Sequence, residues 1–323
     1  MYNIVLIGAG NIGSRHLQGL AGLDLPAAIS VLDIKDNALA LARDRYNEVA
    51  GQEPRISVDY SNSLAKLPEE INLAIIATSS DRRREIAEQL LKQARVRNII
   101  FEKVVFQSAA DFTRMGSLLA KQKTKAWVNC PRRLSAFYLQ LKQHLGNKPQ
   151  INFILQGGEW GLGCNSIHFL DLIAFLTGGS KIENVEFSGN IVASKRPGFI
   201  EMTGRLFGRF TSGSEFTLNS IAGSNMPHQI AVVAKDRFAM IDELAGRAVL
   251  ALRSEQWQRK EELFQLPFQS ELTGKITRKI LTDGESDLST LAESADLHIP
   301  LLKALLKTLN RSSKRKIDRC PIT

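Results

Sequence analysis

Residues 3–13 constrain this chain more than any other stretch. Asn3-Ile4-Val5-Leu6-Ile7 is an almost unbroken apolar run, followed by Gly8-Ala9-Gly10-Asn11-Ile12-Gly13 and a helical stretch to Leu20. An apolar run without alternation, ending in a glycine turn, predicts a strand buried on both faces of a parallel sheet. A second such run, 28–32, ends at Asp33, about 20 residues after Gly13.

Each part of this pattern has a physical task. Gly8 allows a tight turn, Gly10 lets the backbone approach a pyrophosphate, and Gly13 permits close helix–strand packing. Asn11 and Ile12 open the helix, whose first amides and positive dipole end favour an anion. Asp33 can accept hydrogen bonds from ribose hydroxyls and repels a 2′-phosphate. The expectation is a dinucleotide site for NAD, with NADP kept open by Lys35 nearby.

Strand and helix patterns alternate through the first part of the chain. Strands are expected at 73–77, 98–101 and 125–128, and helices at 37–49, 83–93 and 109–122. This alternation predicts an α/β Rossmann domain with a doubly wound parallel sheet. Beyond about residue 130 the pattern changes. Helices are expected at 133–145, 166–177 and 287–310, with strands at 183–190, 203–211, 214–221, 229–236 and 247–253. Strands that follow one another directly predict an antiparallel or mixed sheet. The expected division is 1–128, the nucleotide-binding domain, and 129–323, a second domain.

Composition narrows the function classes. The chain has 323 residues, 44% apolar and 23% charged, and a net charge of +9. No apolar run approaches the ~18 residues of a membrane helix, and the start reads as a strand rather than a signal peptide. A cytoplasmic protein without membrane attachment is expected. Cys130, Cys164 and Cys320 lack metal-ligand spacing, so reduced thiols and no metal are expected. The basic stretch 311–319 has no interleaved aromatic residues, which argues for a solvated end and against a nucleic-acid partner.

Thr78-Ser79-Ser80 follows the third apolar run and falls at the carboxyl edge of the sheet, where ligands bind. The hydroxyls suit cofactor contacts; Ser80 or Asp81 equally suits a helix cap with Glu85. Arg82-Arg83-Arg84 reads as a solvated helix face. Tyr138 and Trp160 read as core residues in preference to sugar-stacking surfaces.

Five segments in order, GAGNIGSRHLQGL, AIIATSSDRRREIAEQLL, FEKVV, VNCPRRLSAFYLQLKQHL and NSIHFLDLIAFLTGG, resemble the glucose-fructose oxidoreductase/inositol dehydrogenase (Gfo/Idh/MocA) family over residues 1–180. The resemblance implies NAD(P)-dependent oxidation or reduction at a carbon of a sugar, nucleotide sugar or related polyol. It also implies that 129–323 is an α/β domain for substrate binding and oligomerisation, with an open, mainly antiparallel sheet through which a homo-oligomer is built. CNSIHFLDL and CPIT further resemble oxidoreductases of bacterial surface-polysaccharide sugars. In the family a Glu-Lys-Pro follows this strand; here it reads Glu102-Lys103-Val104, so Glu102 and Lys103 are expected at the cofactor, with Lys103 on the reacting hydroxyl. The family's Asp-x-x-x-His is met by His168, with Cys164 in the place of the Asp. The usual Thr-Pro and downstream His of the third-strand loop read Thr78-Ser79 and Arg83.

Oxidising a secondary alcohol requires loss of a hydride and of the hydroxyl proton. His168 suits the acid/base task because imidazole exchanges a proton near neutral pH. Asp171, three residues on, shares a helix face with it and is expected to orient it. Lys103 and His168 are therefore expected to mark the active site. The rival reading, fed by Cys164 and Val104, is a non-catalytic NAD-binding sensor or scaffold.

Overall fold

The computed structural model describes residues 1–51, 55–64, 67–179, 181–313 and 315–323, with no account of the Ser312 side chain. Lys314 of the basic stretch thus lies outside the described residues. The chain forms two units: Met1–Phe106, Ala110–Pro131 and Pro267–Leu291 in one, Gln107–Ala109, Arg132–Leu266 and Ala292–Thr323 in the other.

The first unit is built from β1 (Tyr2–Ile7), α1 (Asn11–Leu20), β2 (Ala27–Leu32), α2 (Asp36–Asn47), β3 (Ile56–Ser61), β4 (Glu70–Ile71) and β5 (Leu73–Ile76). Next come α3 (Ser80–Gln93), β6 (Arg95–Val96), β7 (Asn98–Phe101), α4 (Ala109–Gln122) and β8 (Lys125–Val128). The main sheet has the order β8-β7-β5-β1-β2-β3, all parallel, while β4 and β6 pair separately. Its central strands explain the unbroken apolar runs: Ile4, Val5, Leu6, Leu73, Ala74, Ile75 and Ile76 are fully buried. The strand order reverses between β1 and β5, so the loops after these two strands flank the switch point where such sheets bind ligands.

A 3-10 turn at Pro131–Leu134 leads into the second unit, which continues through α5 (Ala136–Leu145), β9 (Ile151–Gly157) and α6 (Leu162–Thr177). Seven strands follow: β10 (Ile182–Ala193), β11 (Ile200–Phe210), β12 (Glu215–Ser220), β13 (Gln229–Ala234), β14 (Arg237–Asp242), β15 (Arg247–Leu252) and β16 (Lys260–Leu263). They form an eight-stranded sheet with β9, in the order β10-β11-β12-β9-β13-β14-β15-β16. Every pair is antiparallel except β12 with β9. The apolar helix α6 buries Ile167, Phe169, Leu170, Leu172, Ile173 and Leu176.

The path of the chain differs from a single cut at 128/129. After β16 the chain adds α7 (Gln269–Asp283) and β17 (Ser289–Thr290) to the first unit, before α8 (Leu291–Ser312). Strand β17 pairs antiparallel with β8 at the sheet edge. Helix α7 crosses α1 so closely that a Cβ on Gly19 would lie 2.8 Å from Ser270 O, and one on Gly274 would lie 2.7 Å from Gly19 O. Glycine inside a helix costs about 1 kcal/mol of propensity; here it permits backbone contact that any side chain would block. Strands β3, β14 and β16 and helix α7 are additions to the sequence expectation. The helices expected from 83 and 166 begin earlier, at Ser80 and Leu162. In the basic stretch Arg311, Arg315, Lys316 and Asp318 are exposed, as expected of a solvated end, whereas Cys320 and Ile322 just beyond it are inaccessible. Among the described residues no helix is long and apolar enough to cross a membrane.

Candidate active site

In the first unit the glycine loop is held by its neighbours. Gly8 has φ +94°, and a Cβ there would lie 2.8 Å from Ala77 C and Thr78 N. A Cβ on Gly13 would overlap the Gly8 carbonyl oxygen. Gly10 is different: a Cβ there meets nothing within 4 Å. Gly10 is also the N-cap residue of α1, which has no side-chain cap and no acid in its first turn. Among the described residues, none accepts a hydrogen bond from the amides of Asn11 or Ile12. A turn that is tight everywhere except at Gly10, facing an uncapped helix start, fits a pyrophosphate.

Asp33 stands at the end of β2 and is tied to this loop. Ala9 N–H donates to its Oδ2 at 2.7 Å, and Lys35 N–H donates to Oδ1 at 3.0 Å. Each oxygen keeps a second lone pair for a ribose hydroxyl. The β5–α3 loop lies beside the glycine loop, since β5 neighbours β1 in the sheet. Ser79, rather than Ser80 or Asp81, is the N-cap residue of α3, and its hydroxyl makes no cap bond. Thr78 Oγ1 is buried with no hydrogen-bond partner among the described residues. These are donors and acceptors suited to a bound cofactor.

The arginine run is not a solvated face. Arg82 is exposed, whereas Arg83 is 2% exposed. Arg83 donates to the carbonyls of Thr78, Val104 and Val105, joining the loop after β5 to the loop after β7. Arg84 pairs with Glu88 and Asp111. Glu85, expected in a cap, faces Arg82 and Arg84 at 3.7 Å.

Lys103 follows Glu102 at the end of β7, and the Lys103–Val104 peptide is cis. Glu102 is buried and accepts from His16 Nε2 at 2.9 Å, Asn129 Nδ2 at 2.5 Å and the Lys103 amide at 3.2 Å. Burial alone would raise the Glu102 carboxyl. The hydrogen bonds from His16 and Asn129 and the charge of Arg83 outweigh it and hold the group below the ordinary carboxylate value. His16, on α1, reaches Thr273 of α7 through Nδ1 at 3.0 Å. A buried chain of contacts thus links the glycine-loop helix to the residue before Lys103. His16, Asn129 and Thr273 carried no sequence signal for this role.

In the second unit His168 lies in the second turn of α6, half-buried, not at the helix start. Asp171 is buried, and both its oxygens accept from Arg133, at 2.9 Å each. The negative charge expected to serve His168 is therefore balanced by Arg133. At the start of α6, Glu201 of β11 accepts from the amides of Gly163 and Cys164. A carboxylate from a distant strand thus stands beside Cys164, where the resembling family carries Asp.

The same unit contains a cluster that sequence reasoning missed. Glu243, just after β14, binds Arg132 through two bonds of 2.8 Å, the Tyr138 hydroxyl at 2.5 Å and His228 Nε2 at 3.1 Å. Tyr138 is buried as expected; burial and the Glu243 charge raise its hydroxyl well above the ordinary value. Trp160 is half-buried and donates to Asn219 O at 2.7 Å.

Residues 2–130 match the model of the Gfo/Idh/MocA family, described as an oxidoreductase family with an NAD-binding Rossmann fold. Residues 2–130 thus carry the NAD-binding Rossmann fold of this oxidoreductase family. Its cofactor is a nicotinamide dinucleotide, and the glycine loop, Asp33 and Thr78 described above suit it. No curated protein matches by sequence. Among solved structures, an oxidoreductase from Agrobacterium radiobacter in complex with NAD+, L-tartaric acid and magnesium is 15% identical, with TM-score 0.74 and 98% of each chain covered. UDP-N-acetylglucosamine 3-dehydrogenase from Acidithiobacillus ferrooxidans is 14% identical, with TM-score 0.71, covering 94% of this chain and 96% of its own. Biliverdin reductase from Synechocystis sp. PCC 6803, in complex with biliverdin and NADP+, is 13% identical, with TM-score 0.72, covering 94% of this chain and 97% of its own. At these identities the likeness is one of fold.

Proposed function

We propose that this oxidoreductase acts at a secondary alcohol or ketone carbon of a sugar, nucleotide sugar or related polyol. The observation that carries this reading is Lys103 at the carboxyl edge of the Rossmann sheet, following a buried, anchored Glu102. The similarity to a UDP-N-acetylglucosamine dehydrogenase supports the substrate class.

When bound, NAD(P) accepts or supplies the hydride. Gly10, Asn11 and Ile12 would hold the pyrophosphate and Asp33 the adenine-side ribose, with Thr78, Ser79 and Ser80 as further contacts. Lys103 would polarise the reacting oxygen through its ammonium group. His168 would exchange the hydroxyl proton, and Arg133 would keep Asp171 from adding a net charge to its helix. The Glu102–His16 pair would hold the backbone of Lys103 in place.

The test is nucleotide fluorescence with NADH and NADPH on wild type and Asp33→Ala, followed by an assay on UDP-N-acetylglucosamine and free sugars. NADH affinity should fall about tenfold in Asp33→Ala, the value of one good hydrogen-bonded contact. Turnover should vanish in Lys103→Met with NADH binding retained. Binding of neither nucleotide would overturn the reading; nucleotide binding without turnover would favour the sensor, and turnover indifferent to Lys103 would remove the role given to that residue.

A further inference from the structure

The Glu243 cluster of the second unit is used by no step above, yet it fixes one imidazole atom by atom. Burial alone would raise the Glu243 carboxyl. Arg132, with its charge and paired hydrogen bonds, and the bonds from His228 and Tyr138 outweigh this and hold the carboxyl well below the ordinary range. An ionised carboxylate only accepts hydrogen bonds, so Nε2 of His228 carries the hydrogen. In the tautomer that donates from Nε2, the lone pair lies on Nδ1.

The surroundings of His228 fix it further. The Phe169 ring meets the imidazole edge-on at 5.7 Å, and Arg132 lies 4.5 Å over that same Phe169 ring. Its backbone is confined as well, since a Cβ on Gly157 would lie 2.7 Å from His228 Cα. Arg132 already balances the charge of Glu243. No residue of the chain hydrogen-bonds Nδ1 among the described residues, and the side chain is 24% exposed. The sheet register places His228 at the edge where β9 and β12 end and β13 begins, the edge that also carries Trp160.

We propose that His228 is a substrate-contacting residue whose Nδ1 accepts a hydrogen bond from a hydroxyl of the ligand. Glu243 fixes the tautomer, and Arg132 and Tyr138 position Glu243. The inference rests on the sugar or polyol reading above and adds a specificity-determining residue to it.

The experiment is ¹⁵N imidazole NMR of the full chain, with His228 assigned through His228→Gln. At neutral pH the wild type should show the Nε2–H tautomer; the opposite tautomer overturns the proposal. UDP-N-acetylglucosamine, D-glucose and myo-inositol are then titrated with NADH present. At least one should shift Nδ1 saturably, and His228→Gln should weaken that ligand about tenfold, as expected for one hydrogen bond. No Nδ1 response to any of the three overturns the proposal. NADH fluorescence on the same samples separates the two readings. Failure of NADH to bind brings down the oxidoreductase function, whereas normal NADH binding with an unresponsive His228 removes only this contact. Should His228→Gln fail to fold, the wild-type tautomer and titration still decide.

Discussion

Helices α1 and α6 start alike and end up serving opposite purposes. Each follows a glycine, and neither has a side chain of its own at the cap. At α1, among the described residues, the amides of Asn11 and Ile12 meet no acceptor and a Cβ on Gly10 meets nothing within 4 Å. At α6 the chain supplies the anion itself, because Glu201 takes the amides of Gly163 and Cys164. The same field at a helix start is thus left for a ligand in one unit and satisfied internally in the other. The second unit treats its other charges the same way, pairing Asp171 with Arg133 and Glu243 with Arg132.

The comparison can be broken most forcefully in the second unit. Glu243→Ala leaves Arg132 without its carboxylate, and denaturant unfolding should show a loss of about 3–5 kcal/mol. The lowered Glu243 value also sets a pH window. Its stabilisation is complete above the ordinary value of 4.5 and is lost as pH falls through the lower folded value. Glu243→Gln should remove that acid-side loss in thermal melts taken below pH 5; an unchanged acid limb would mean that other carboxylates control it.

In the first unit, Gly13→Val should cost about 3 kcal/mol, because its side chain overlaps the Gly8 carbonyl and the loop must shift. Gly10→Ala sharpens the contrast. Its Cβ meets no protein atom, so stability should hold within about 1 kcal/mol while NADH affinity falls at least about tenfold. A melting temperature that fell with the affinity would show that the loop is filled by the chain and not kept for a ligand. The smallest effect belongs to Glu201→Gln, which keeps an acceptor but removes the charge at the α6 start. About 0.5–1 kcal/mol should be lost, less at high salt.

What could be read from the sequence follows the range of the interactions. The turn after β1, Asp33 and the buried central strands announce themselves because spacing within a few residues dictates them. Arg83 does not, since a basic triplet looks the same whether its middle member is solvated or buried against three carbonyls. Helix α7 hides its pattern for a related reason. Thr273, Gly274 and Thr277 lower its helical propensity, and only close contact with α1 compensates. Strand β3, Ile-Ser-Val-Asp-Tyr-Ser, alternates instead of running apolar, as suits an edge strand. The His228–Glu243 and Arg133–Asp171 pairs join positions 15 and 38 residues apart, and no local pattern connects them.

The return of residues 267–291 to the first unit has a consequence for how the protein is made. On the ribosome, the Rossmann sheet emerges early but must wait for α7 and β17 until the whole of Arg132–Leu266 has been synthesised, on the order of ten seconds at usual elongation rates. Throughout that interval His16 lacks Thr273, the small-residue face of α1 is bare, and the outer edge of β8 is unpaired. The nucleotide-binding half is the first to be translated and among the last to be finished.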